Sequence, residues 1–328
     1  NTHTQLLFFT TDGMVYKLKT WRLPLGGRTS KGKAIVNILP IPAGVSVAAI
    51  MPVDRDESEW DDLQVVFATS AGTVRRNKLS DFTNVRANGK IAMRFEEENA
   101  DVTLINARIA SNEDDVMLVT SSGRAIRFPA TDVRVFNSRA SLGVRGIRLT
   151  GDDSVVSMSI LPHFEATSDE RTAYLKMRRQ QAGLTEEEMD AAEDEGETAT
   201  QLPQERFNEM QAAETLILTI SEQGTGKLSS SHDYPIRGRG GMGVTAMDKA
   251  MRGGALVASF PVTLEDQIML ATSKGQSIRV PVQGISFRSR SAGGVKVFNT
   301  GKNEIVVSVA WIAEQADEDE VLTDGGEV

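Results

Sequence analysis

The feature that most constrains this chain is a unit that recurs five times in the same order. It is clearest at Val116-Met-Leu-Val-Thr-Ser-Ser-Gly-Arg-Ala-Ile-Arg-Phe128, followed by Gly143-Val-Arg-Gly-Ile-Arg-Leu149. A short apolar run, Val116–Val119, enters a Thr-Ser-Ser-Gly turn and a basic run leaves it. That length and punctuation predict a β-hairpin rather than a helix. The first turn recurs at Gly13, Gly72, Gly123, Gly224 and Gly275, and a second glycine follows at Gly32, Gly89, Gly143, Gly243 and the pair Gly293-Gly294. Each unit closes with a short apolar strand such as SVAAIMPV, SVVSMSIL or IVVSVAWI. Units of about 50 residues with about four short strands each are the signature of propeller blades.

The expected fold is therefore all-β and propeller-like, with blades over residues 4–53, 62–110, 113–162, 214–262 and 265–313. An acidic loop, Asp54–Asp61, joins the first two. Residues 163–213 break the pattern, being rich in Ala, Glu, Gln and Met, and predict an acidic, partly helical insertion between blades. Thr185 and Glu188 have the form of a capping box, which predicts a helix start there. Residues 314–328 are too polar to pack and read as an acidic tail.

The net charge of −9 argues against a polyanion partner until it is divided. The insertion carries thirteen acids against five bases (−8) and the tail seven acids and no base (−7), which leaves the blades at +6. The basic residues recur at two places in each blade. After the first turn lie Lys17 and Lys19, then Arg75, Arg76 and Lys78, then Arg124 and Arg127, then Lys227, then Arg279. By simple alternation Arg124 and Arg127 point to opposite faces, unless a bulge re-aims one of them. Around the second glycine lie Arg28, Lys31 and Lys33, then Arg86 and Lys90, then Arg139 and Arg145, then Arg237 and Arg239, then Arg288, Arg290 and Lys296. In a ring of blades, equivalent positions share one face or the rim. A belt of this kind displaces counterions from duplex DNA without reading a base. Bending a 20–30 bp site by 40–90° costs about 1–6 kcal/mol, so several blades must contribute contacts. Basic residues beside turns also protect exposed strand edges, but that role does not require them around every second glycine.

These segments resemble the C-terminal DNA-wrapping domain of the bacterial DNA gyrase A protein. Arg28-Thr-Ser-Lys-Gly-Lys-Ala-Ile-Val-Asn-Ile-Leu-Pro40, Leu142-Gly-Val-Arg-Gly-Ile-Arg-Leu149 and ATSAGTVRRNKLSDF match its motifs, and the likeness covers the five blades but not residues 163–213. The resemblance implies a β-pinwheel whose blades exchange strands, with duplex DNA bent around a positive rim. It also implies a role in ATP-dependent negative supercoiling, with the rest of the gyrase A protein and the gyrase B protein as partners in a bacterial cytoplasm, on the chromosome. The family's box, a Gln-Arg-Arg-Gly-Gly-Lys-Gly type heptapeptide, has only a partial likeness in Arg237-Gly-Arg-Gly-Gly-Met-Gly243. A blade carrying that box is expected before Asn1, and its absence predicts an unpaired edge near residues 5–10.

Catalysis is not expected here. Tyr16, Tyr174 and Tyr234 read as packing residues, and His3, His163 and His232 lack metal-ligand spacing. The adjacent carboxylates Asp114-Asp115 and Asp152-Asp153 read as turn chemistry rather than a metal pair. Gly238–Gly243 lacks the strand–helix context and terminal Lys of a nucleotide loop, so no cofactor is expected. With no cysteine the chain offers neither disulfide nor thiolate site, and no apolar run approaches membrane length. The alternatives are the C-terminal domain of the topoisomerase IV A protein, a protein-binding propeller with a mixed top face, and a propeller enzyme with convergent acids on inner strands.

Overall fold

The computed structural model describes residues 1–26, 31–95, 101–139, 141–181 and 202–312, with backbone alone at 251–252. Arg28, the proposed helix start at Thr185–Glu188 and the 314–328 tail lie outside them.

The repeated hairpins form as the turn chemistry requires. In the third repeat, Asp114–Thr120 and Arg124–Pro129 pair antiparallel across a three-residue loop. Gly123 takes φ 84° there, a backbone state open to glycine at little cost. Thr120 closes the loop, its Oγ1 accepting from the Arg124 N–H at 3.2 Å.

The sheets are not made from contiguous chain. Four blades have four strands each, in an order that places the repeat's closing strand at one edge and a strand from the next repeat at the other. Blade 1 runs Val47–Val53, Gln5–Thr10, Met14–Lys19, Lys90–Ile91. Blade 2 runs Leu104–Ile109, Gln64–Thr69, Thr73–Lys78, Val144–Arg145. Blade 3 runs Val155–Pro162, Asp114–Thr120, Arg124–Pro129, Val244–Thr245. Blade 4 runs Leu256–Val262, Leu216–Ser221, Thr225–Ser230, Val295–Lys296. Closing strands of successive blades touch one another, so they lie on the inside and the donated strands are outermost.

The second glycine is what lets the donated strand arrive. At Gly143, φ is 89° and a Cβ would meet the Val74 carbonyl oxygen at 2.4 Å. Any side chain there would push the incoming strand off its acceptor.

The apolar cores lie between blades. Leu7, Phe9 and Met51 of blade 1 pack on Val65, Phe67 and Phe82 of blade 2. Phe9, Phe67 and Phe82 meet edge to face, with ring centroids 5.5–5.8 Å apart. Blade 5 differs from the expected four strands. It has three, Ser277–Pro281, Gln267–Thr272 and Val306–Ile312, and no fourth among the described residues. Its face leaves Met269, Ile278, Val307 and Trp311 exposed. The expected free edge near residues 5–10 is thus misplaced. Gln5–Thr10 pairs on both sides, because the closing strand folds back beside it.

Two helices, α1 (Ser168–Gln181) and α2 (Gln204–Ala212), form the described part of the insertion. A capping box starts α1: Thr167 Oγ1 accepts from the Glu170 N–H, and Glu170 Oε2 accepts from the Thr167 N–H at 2.8 Å. Tyr174, Leu175, Phe207 and Met210 make a small core. It is tied to blade 4 through His232, whose Nε2–H donates to the Met210 carbonyl at 2.8 Å and whose ring meets Tyr174 and Phe164 edge-on.

Candidate nucleic-acid interface

The basic residues separate into two populations. Third and fourth after the hairpin glycine, they point under the strand arriving from the next repeat. Arg75 is fully buried. Its guanidinium donates to the carbonyls of Arg139 and Ser141, at 2.5 and 2.8 Å, and to that of Ala92. Lys227, at the same position of blade 4, donates to the Ser289, Arg290 and Ala292 carbonyls. One position further on, Arg76 holds the Ala130 carbonyl at 2.9 Å and Arg127 the Ser231 carbonyl at 2.9 Å, while Lys17 holds that of Thr83. Arg127 also pairs with the buried Asp115 at 2.7 Å.

These contacts correct the expectation that Arg75, Arg76, Arg127 and Lys227 line a DNA surface. All four are buried, and each donates to at least one backbone carbonyl of the neighbouring repeat. Burial pushes Arg75 down to about 10 and Lys227 to about 7, and holds Arg76 and Arg127 below the usual guanidinium range. Lys17 and Lys78 are engaged by the acidic turn after blade 1, Lys17 with Glu57 at 2.8 Å and Lys78 with Asp61 at 2.7 Å. Lys90 is half-buried, donates to the Asp81 carbonyl at 2.7 Å and is lowered by burial, with Arg139 adding repulsion.

The second population faces solvent. Arg145, the second residue of the strand donated to blade 2, pairs with Thr73; Lys296 holds the same register position on blade 4, opposite Thr225. On blade 3 that position is Thr245, and the cation comes instead from its partner Arg124. All three cations are exposed at the outer edges of consecutive blades, Arg145 and Lys296 on the outermost strand and Arg124 on the strand beside it. Lys19, Lys31, Lys33, Arg86, Arg237, Arg239 and Arg279 are exposed as well, and Arg139, Arg288 and Arg290 are half-buried. Arg239 is anchored rather than loose, donating to the Asp132 and Arg145 carbonyls, both at 3.0 Å. The strand pairing thus brings Arg145 and Arg239, far apart in sequence, onto one patch.

No catalytic constellation accompanies them. Tyr16, Tyr174 and Tyr234 are buried, and burial raises all three hydroxyls above their usual range. Among the described residues no three His, Asp or Glu side chains cluster as metal ligands, and no helix is long and apolar enough to cross a membrane.

A blade array closed by strand exchange, with exposed cations on its outermost strands, defines a β-pinwheel. A family model described as DNA gyrase C-terminal domain, beta-propeller, matches residues 4–54, 64–109, 114–162, 215–262 and 266–310. The chain belongs to that family. The DNA gyrase A protein of Granulibacter bethesdensis is 44% identical over 326 residues, 96% of this chain and 34% of that protein. Its Rickettsia bellii counterpart is 40% identical over 324 residues, 98% of this chain and 35% of that protein. The chain thus spans about a third of the length of the curated relatives it matches. Among solved structures, the C-terminal domain of DNA topoisomerase IV aligns with TM-score 0.69 at 19% identity, covering 95% of this chain and 80% of that one. A DNA gyrase A C-terminal domain aligns with TM-score 0.66 at 20% identity, over 95% and 84%. At these identities the solved structures speak to the fold alone.

Proposed function

We propose that this chain binds and bends duplex DNA without reading its sequence, as the non-catalytic wrapping module of a gyrase. The observation that carries it is the placement of Arg145, Arg124 and Lys296 at the outer edges of three consecutive blades, on the donated strand in two of them and on its pairing partner in the third. A duplex following that edge meets a cation at each of these three blades, and among the described residues no element projects that would enter a groove and read base edges. In this reading the rest of the gyrase A protein and the gyrase B protein supply strand passage and ATP-dependent negative supercoiling. The working place is the bacterial cytoplasm, on the chromosome.

The test is titration of the chain into end-labelled duplexes of unrelated sequence over a salt series, with energy transfer between the ends reporting bending. The reading expects a steep fall of log affinity with log salt, equal for all sequences, and a shorter end-to-end distance on binding. Salt-insensitive affinity, or binding confined to one sequence, overturns it.

A further inference from the structure

Between α1 and the loops of blades 4 and 5 lies an open crevice of about 100 Å³. One face is the α1 stripe of Arg171, Leu175 and Arg179; the other is formed by Asp233, Arg237 and the 289–291 segment. Among the described residues four guanidinium groups line it, those of Arg171, Arg179, Arg237 and Arg290, and one carboxylate, that of Asp233.

That carboxylate forms long ion pairs with two of them, and the Arg290 guanidinium also donates to the Asp233 and Thr245 carbonyls. Asp233 Oδ2 accepts from the Arg290 backbone N–H at 2.7 Å, while Arg179 Nη2 and Arg290 Nε stay 3.8 and 3.7 Å from its oxygens. Two donors in the lining have no hydrogen-bond partner among the described residues: Arg179 Nε and the Ser289 hydroxyl, whose residue is only 6% exposed. A buried donor left unpaired costs about 1–3 kcal/mol, more when it is charged. A group presenting several acceptor oxygens and negative charge removes that cost, and the planar guanidinium fork matches phosphate geometry.

We propose that this crevice is a phosphate-binding site, built jointly by the insertion and the blade 4–5 junction. α1 is held there independently of any ligand. Arg178 pairs with Glu214 at 3.1 Å and stacks over Phe287 at 4.8 Å, so the crevice is preformed. The phosphate can come from a duplex backbone, in which case the site rests on the proposed wrapping and extends its track onto the insertion. It can also come from a free phosphate-bearing molecule.

The experiment uses the intact chain with Arg179→Gln and Ser289→Ala, both checked for unchanged circular dichroism. In the first arm, thermal unfolding is followed as inorganic phosphate replaces chloride at constant ionic strength. The wild type should gain stability, and each variant should gain less. In the second arm, duplex affinity is measured over a salt series. A loss of about 10-fold in Arg179→Gln, the value of one charge-assisted hydrogen bond, assigns the phosphate to DNA. A lost phosphate response with unchanged duplex affinity assigns the site to a small phosphate-bearing ligand. If wild type and variants respond equally to phosphate and bind duplex equally, the proposal is overturned. If the wild type binds no duplex, the wrapping reading fails, while the phosphate arm still decides the crevice.

Discussion

The Lys227 ammonium donates to the Ala292 carbonyl at 2.6 Å, across a gap of 65 positions in the chain. Arg75 makes the same kind of contact with Ser141, 66 positions on. Both cations fasten the segment that delivers a strand to the preceding blade. Replacing Lys227 by Met should cost about 1–3 kcal/mol, since three carbonyls lose a donor while removal of a buried charge offsets part of the loss. Urea unfolding of the chain measures it; an unchanged midpoint would mean that the fastening contributes nothing.

The same lysine gives stability a pH dependence. Burial lowers its folded pKa from 10.5 to about 7. Between those values the unfolded chain holds a proton that the folded chain has released, so stability rises with pH across the window and levels off below it. Lys227→Met lacks this slope. The stability of wild type minus variant should therefore grow from pH 7 towards pH 10; a flat difference would show that the three carbonyls keep the ammonium charged.

His232 acts in the opposite pH range. Burial beside Tyr174 and Phe164 lowers its pKa below 6.5, against the hydrogen bond to the Met210 carbonyl, which raises it. Its folded pKa is depressed, so the contribution is present above 6.5 and is lost as pH falls through that value. Hydrogen exchange at α2 should accelerate below pH 6.5. His232→Gln keeps an N–H donor that cannot ionise, and it should remove this acceleration.

Gly143→Ala should destabilise the fold by about 1–3 kcal/mol, the range for a residue forced into a sparsely populated backbone region, with a clash against Val74 added. Gly238→Ala is the matched control: its φ is not positive and nothing lies within 4 Å. Its effect should stay within about 0.5 kcal/mol. Equal thermal midpoints for the two variants would contradict the account of strand delivery.

For DNA, neutralising Arg124, Arg145 and Lys296 to Gln should each weaken binding to all sequences alike and lower the salt slope by about 1. Charge removal at Arg76 should instead show itself as lost stability. An unchanged salt slope in the triple variant would detach these three residues from the interface.

Much of the blade was legible from local chemistry. Gly123 and its Thr-Ser-Ser lead-in define the hairpin within a few residues, and alternation separates Arg124, which is exposed, from Arg127, which is buried. What alternation cannot say is which face is inside. A cation in a strand reads as exposed because burying it is costly. The carbonyls that offset that cost belong to the next repeat, and spacing along the chain does not reveal them. Strand exchange likewise entered through the family resemblance, since a two-residue strand such as Val144–Arg145 carries no signal of its distant partner. In the insertion, Thr185–Glu188 and Thr167–Glu170 have the same capping form. The expected helix start is the first; the structure shows the second capping α1, with Ala173 and Tyr174 buried behind it.

Donation of the outermost strand also sets an order during synthesis. As the chain leaves the ribosome, none of blades 1 to 4 can be completed until the following repeat has emerged, so each of these intermediates carries one bare hairpin edge. For blades 1, 2 and 4 the wait is one repeat. Blade 3 must wait for Val244–Thr245, beyond the whole insertion, roughly twice as much chain. At about 5–20 residues per second, that leaves the edge at Arg124–Pro129 open for several seconds longer than the corresponding edges of blades 1, 2 and 4. The insertion thus lengthens the interval in which the unfinished third blade is exposed to wrong partners.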